Sequence, residues 1–164
     1  MKDNDPLATI SITPIGVVRS SRVQRIDDHW DLESSRIELD SRQYTNEALW
    51  GLEKFSHLEV LFFLHHLAVS QTTTGARHPR ERLDWPKVGI FAQRGGVRPN
   101  RLGLSCCRIL RIEGLVIHVE GLDAVEGTPV LDIKPYFREF GPRGSVEQPG
   151  WVSEVMRSYW KHKP

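Results

Sequence analysis

The chain has 164 residues, 39% of them hydrophobic and 26% charged, with a formal net charge of +1. This is the balance of one ordinary globular domain, not of a disordered tail or a fibrous repeat, and it excludes a global basic field, so any nucleic acid must be gripped by a local patch. No apolar run is long enough to span a bilayer and the first residues do not read as a secretory signal, so the expected setting is the cytoplasm, with no membrane partner.

In chain order, residues 1–9 are expected to be frayed. Residues 10–19 alternate through Ile10, Ile12, Ile15 and Val17 with an interruption at Pro14; this predicts a first strand in which Gly16 marks a bulge or a close neighbour. The polar stretch 20–31 carries Asp27, Asp28, His29, Trp30 and Asp31. Carboxylates and an imidazole beside an indole would suit the rim of a substrate site, and the same composition suits a plain surface loop. No metal-ligand spacing accompanies them, so no metal is expected.

Residues 35–39 put Ile37 and Leu39 on one face of a second strand. Over 45–54 a helix is predicted, with Thr45 as its cap and Leu49, Leu52 and Phe55 on one side, although Gly51 counts against its length. The most apolar segment, HLEVLFFLHHL at 57–67, is β-branched and aromatic enough for a central strand. Within it Glu59 must point outward or find a partner. His65 and His66 stand where that strand leaves the core, either facing a ligand or merely ending the strand.

Residues 70–87 read as a mobile cationic excursion carrying Arg77, His78, Arg80 and Arg82. A short apolar run at 88–92 predicts a buried strand, after which GIFAQRGGVRPNRLG at 89–103 turns cationic. There Arg94 and Arg98 bracket Gly95 and Gly96, and Pro99-Asn100 makes a turn. Glycines let backbone approach a ligand, and guanidinium forks suit carboxylate or phosphate. A solvated hairpin tip has the same composition.

Alternation resumes over 102–112, and Glu113-Gly114 turns it into 115–122, a hairpin. Cys106 and Cys107 are adjacent and fit no zinc spacing, so they are expected as buried thiols on that strand. Glu126-Gly127 marks a further turn, and Pro129 holds Thr128 extended. A short strand at 130–133 follows, with Asp132 and Lys134 flanking Ile133 and Pro135 ending it. A weak helical pattern over 152–161, with Val155, Tyr159 and Trp160, is expected to pack on the barrel or on a second subunit.

Three segments taken together, ITPIGVVRSS at 12–21, FAQRGGVRPNRLGLS at 91–105 and LDAVEGTPVLDIKPYF at 122–137, make the chain resemble the TsaA-like family, also called the TrmO family. FSHLEVLFFLHH at 55–66 matches a family strand ending in an aromatic-His pattern. The resemblance implies a mainly β fold, a small antiparallel barrel with one or two short helices over 10–140, and an extension with a short helix over 141–164. It implies binding of S-adenosyl-L-methionine by a homodimer, near the subunit interface. The implied activity is methylation of N6 of threonylcarbamoyladenosine in the anticodon loop of tRNA, or of a smaller adenosine-like acceptor.

Carried over residue by residue, the cofactor-binding set is His65, His66, Arg94, Val125, Glu126, Gly127 and Thr128, with Arg98, Asn100 and Gly103 as framework and Leu104 against the cofactor. Phe91 or Trp30 would offer the sulfonium an aromatic face. His65, His66 and Asp132 are the candidate bases, and Asp132 equally suits an ion pair with Lys134 or Arg98. The chain departs from the family at Gly95-Gly96, where Ser and Pro or Thr are usual, and at Glu126, where Asp is usual. It also departs at Asp27 to Trp30, where the tRNA enzymes carry Pro-Arg-Gln. It ends soon after the matched region, without the further C-terminal domain of some tRNA-methylating members. The alternative is a non-catalytic RNA- or nucleotide-binding barrel, with arginines on phosphates and aromatics on bases.

Overall fold

The computed structural model describes residues 7–160; of the stretches expected to fray or extend, 1–6 and 161–164 lie outside the described residues. Among the described residues eight strands form: β1 Gly16–Arg19, β2 Ser34–Leu39, β3 His57–Phe63, β4 Ala76–Arg77, β5 Val88–Gly89, β6 Leu102–Glu113, β7 Val116–Glu120 and β8 Pro129–Pro135. Six of them close into a barrel in the order β1-β2-β7-β6-β3-β8, with β8 returning to β1, and every neighbouring pair is antiparallel. The remaining two, β4 and β5, form a small ribbon inside the long connection from β3 to β6.

The period-2 pattern closes the barrel. Val18, Ile37, Leu39, Leu58, Val60, Phe62, Cys107, Ile117, Val119 and Val130 all point inward to one core, and Leu49, Leu122 and Ala124 pack with them. Glu59 points outward opposite Lys134, so the carboxylate in the apolar run stays out of the core. Adjacent strand residues face opposite sides, so only Cys107 is buried; Cys106 is exposed, against the expectation of two buried thiols.

Several expected elements are shorter than their patterns. The first strand begins only at Gly16, and Ile10 and Ile12 are exposed. Pro14 has no N–H for a ladder, and Gly16 lies so close to β2 that a Cβ there would sit 2.3 Å from the Glu38 carbonyl oxygen. The helix expected over 45–54 is instead two 3-10 turns, Asn46–Leu49 and Leu52–Lys54, broken by Gly51 at φ 88°, and the Thr45 side chain caps nothing. The apolar run at 88–92 is β5 followed by a 3-10 turn, Ile90–Ala92, that buries Ile90 and exposes Phe91. β3 stops at Phe63, and residues 64–67 form a turn rather than strand. The β6–β7 hairpin turns at Gly114, φ 61°, and β6 slips register between Ile109 and Arg111. In the tail α1 spans Gly150–Val155.

The antiparallel order decides where the connections lie. The links from β1 to β2, from β3 to β6 and from β7 to β8 all emerge at the same end of the barrel. The tail meets that end too, because the His29 and Trp30 amides donate to the Ser158 and Tyr159 carbonyls at 2.9 and 3.0 Å.

Candidate functional site

At that end, the turn after β3 sits between two other connections. The Leu64 amide donates to the Arg101 carbonyl at 2.8 Å, and the Arg101 guanidinium donates to the Leu67 carbonyl at 2.6 Å while lying over Phe63. Arg101 thus ties the histidine turn to the glycine-arginine loop. A Cβ on Gly96 would come within 2.9 Å of Leu67 Cδ1, so the loop packs directly on the residues flanking His65 and His66. On the other side, His65 Nε2 lies 3.9 Å from where a Cβ on Gly127 would stand, and Gly127 has φ 76°. His65, the 94–101 loop and the 125–128 corner therefore share one place.

Within it, the two histidine rings lie 4.0 Å apart. His65 Nδ1 is buried with no hydrogen-bond partner, a costly condition that a bound polar group would relieve. Burial, and then the neighbouring His66, push the pKa of His65 below its ordinary value, which favours a neutral ring able to accept as well as donate.

The corner is pinned to β1 by backbone bonds: the Gly127 amide donates to the Val18 carbonyl at 2.9 Å, and the Val18 amide donates to the Thr128 carbonyl at 2.9 Å. Glu126 reinforces this. Its carboxylate accepts from the Ser20 amide at 2.7 Å and from Arg19 at 3.0 Å, and these bonds, the Ser20 amide foremost, hold its carboxyl below the usual range. The Glu126 side chain is thus a strut, and what the corner offers a ligand is backbone. Val125 and Thr128 are buried.

The two loop arginines differ. Arg94 is exposed and donates from Nη2 to the Leu104 carbonyl at 2.8 Å, so most of its fork is open to an anion. Arg98 is turned into the loop, donating to the Ile90 and Gln93 carbonyls at 3.2 and 2.7 Å. Asn100 is exposed at the turn, and Leu104 is exposed beside Arg94. Gly103 serves packing: a Cβ there would fall 2.2 Å from the Phe62 ring.

Other expected residues are already engaged within the chain. Asp132 stands opposite Leu61 on β8, bonded to Lys134 at 2.8 Å, so of its two expected roles the ion pair is the one present. Asp28 is taken by Arg80 at 2.8 Å, and Trp30 is buried beneath the Arg22 guanidinium, which leaves only His29 of that trio exposed. Trp30 therefore offers no open face to a sulfonium, whereas Phe91 is exposed, with the Arg98 guanidinium 5.4 Å from its ring centre.

Three further residues meet at the same end and were not expected as site residues. The Ser105 and Tyr159 hydroxyls both donate to Asp123, one to each carboxylate oxygen. Asp123 sits inside the matched 122–137 segment and its carboxylate was a readable signal; a Tyr in a weakly helical tail carries none.

A cavity of about 560 Å³ lies elsewhere, against the outer face of β1, β2, β6 and β7, and shares only Glu126 with the site. Its arginines are already paired, Arg19 with Glu38 and Glu126, and Arg111 with Glu113. Among the described residues no cluster of His, Cys, Asp or Glu is placed to hold a metal ion, and no helix is long and apolar enough to cross a membrane.

Residues 25–141 match the family described as tRNA-methyltransferase O N-terminal domain. A human tRNA (adenine(37)-N6)-methyltransferase is 40% identical over 105 residues, which are 62% of this chain and 23% of that protein. A probable S-adenosyl-L-methionine-binding protein of Methanothermobacter thermautotrophicus is 37% identical over 139 residues, covering 82% of this chain and 96% of that one. The crystal structure of TrmO from Pseudomonas aeruginosa superposes with a TM-score of 0.69 at 31% identity, over 86% of this chain and 62% of that chain. This chain thus corresponds to about a quarter of the human relative's length, yet to nearly the whole of the archaeal one. With the same barrel, and a family match over well more than half its length, the chain belongs to the tRNA-methyltransferase O N-terminal domain family.

Proposed function

We propose that this chain binds S-adenosyl-L-methionine at the barrel end and uses it as a methyltransferase. The observation that carries this reading is the convergence of His65, Arg94 and the 125–128 corner, with His65 Nδ1 left buried and unpartnered among them. The residues fit the group. Arg94 would hold the carboxylate with its open fork, His65 would bond a polar edge, and the backbone of Val125 to Thr128 would line the nucleoside.

When bound, the cofactor supplies an electrophilic methyl carbon on a sulfonium. The chain's contribution is then to hold the acceptor in line, exclude water and take up a proton where the acceptor is an amide-like nitrogen. His65, neutral by virtue of its burial, is the base this reading favours over Asp132, whose carboxylate is engaged by Lys134.

The names of the mammalian relatives support an adenine nitrogen of transfer RNA as acceptor, and a cytoplasmic place of work goes with that substrate. The working unit in this reading is a homodimer. Exposed Phe91 and Leu104 beside Arg94 support a partner packing against the site.

The test is calorimetric titration with S-adenosyl-L-methionine, followed by assay of S-adenosylhomocysteine release with bulk tRNA. Saturable binding that changes little with salt, lost in Arg94→Ala, is the expected result. Unchanged cofactor affinity in that variant would remove the carboxylate role. A barrel that bound tRNA with a steep salt dependence and ignored the cofactor would be a nucleic-acid-binding module instead.

A further inference from the structure

Arg94 and Asp123 are anchored to consecutive residues of β6. The Arg94 guanidinium donates to the Leu104 carbonyl, and the next hydroxyl along, that of Ser105, donates to Asp123. Tyr159 bonds the second oxygen of Asp123, and its phenol feels the charge of Arg94. Asp123 is two residues before Val125, and thus at the entrance to the corner already placed at the site. A guanidinium with an open fork and a carboxylate anchored one residue further along the same strand are complementary to a zwitterion.

We infer that Asp123 is the acidic half of an amino-acid clamp: Arg94 takes the α-carboxylate of the S-adenosyl ligand and Asp123 takes its α-ammonium. The inference rests on the cofactor reading above and adds to it the residue that recognises the amine. Each carboxylate oxygen has two acceptor sites, and Ser105 and Tyr159 use one on each, which leaves a second on each for an ammonium. The two hydroxyls fix the carboxylate's orientation. Tyr159 stays a donor, because burial and then the charge of Asp123 push its phenol pKa up. Since Tyr159 and the bonds from residues 158 and 159 to the His29 loop lie beyond the family-matched stretch, this chain's own tail helps build the clamp.

Three ligands with a neutral sulfur separate the two halves of the clamp. S-adenosylhomocysteine has both carboxylate and ammonium, its decarboxylated amine keeps only the ammonium, and 5′-methylthioadenosine has neither. Titrated calorimetrically into the full chain, Asp123→Asn should weaken S-adenosylhomocysteine and the amine by roughly 10- to 100-fold, the loss of one charge-assisted hydrogen bond, and leave 5′-methylthioadenosine unchanged. Arg94→Ala should weaken S-adenosylhomocysteine alone. Retained 5′-methylthioadenosine binding also shows that the variant is folded. Equal weakening of all three ligands by Asp123→Asn would make Asp123 a structural residue and overturn the clamp, as would no weakening of any. A wild-type chain that bound none of the three would instead sink the cofactor reading, and the clamp with it.

Discussion

At the scale of single residues, the barrel end is built from side chains whose roles divide between holding a ligand and holding the scaffold. Gly103 belongs to the scaffold: Gly103→Ala would drive a methyl into the Phe62 ring, an overpacking expected to cost about 1–3 kcal/mol. Thermal melting should show a drop of about 2–4 °C for each kcal/mol lost, and an unchanged midpoint would refute the packing role. Glu126 is scaffold as well, and its effect depends on pH. Its folded pKa lies below the ordinary 4.5, so it contributes stability above that pH which is lost as pH falls through the lowered folded value. Glu126→Gln should therefore be least stable relative to wild type above about pH 4.5, with the gap closing in stronger acid. Denaturant midpoints across that range check it, and a gap constant with pH would contradict it. Such roles were only partly legible beforehand. The arginines, histidines and Thr-Pro corner stood out by residue type, but composition cannot tell that Arg98 turns inward while Arg94 stays open. Nor could it tell that Trp30 is covered by Arg22, since both facts depend on which carbonyls and rings lie nearby.

At the scale of elements, the alternating strands were the most readable part and the short helical segments the least. β2, β3 and β7 carry inward residues at every second position, a pattern that burial on one face enforces and that needs no tertiary knowledge to see. The helix expected over 45–54 failed because Gly51 adopts φ 88°, which splits its two apolar turns. Strand 1 was overestimated because Pro14 and the close contact at Gly16 limit pairing. That the tail packs on the barrel was one of two readings of its pattern, but its partners were not readable; they are Asp123, which Tyr159 reaches, and Trp85, which donates to Glu154 at 2.8 Å. Removing the tail's hydroxyl tests that attachment. Tyr159→Phe loses a hydrogen bond to a carboxylate, worth about 1.5–3 kcal/mol, and should lower the melting midpoint accordingly. Hydrogen exchange should rise at the His29 and Trp30 amides, which the tail's carbonyls accept. A variant with wild-type stability and exchange would show that the tail is held by other contacts.

For the whole molecule, barrel closure does the functional positioning. Closing six antiparallel strands in the order β1-β2-β7-β6-β3-β8 sends three connections to one end, and those connections carry the motifs that lie tens of residues apart in sequence. The motifs could be recognised separately; that they meet follows only from the strand order, which no local pattern specifies. The account stands on that meeting place being where an S-adenosyl ligand binds. A crystal structure of the full chain with S-adenosylhomocysteine tests it most directly. The account predicts ligand density bounded by His65, Arg94, Asp123 and the Val125 to Thr128 backbone. Density instead in the arginine-lined cavity on the outer face of β1, β2, β6 and β7, with the barrel end empty, would contradict it.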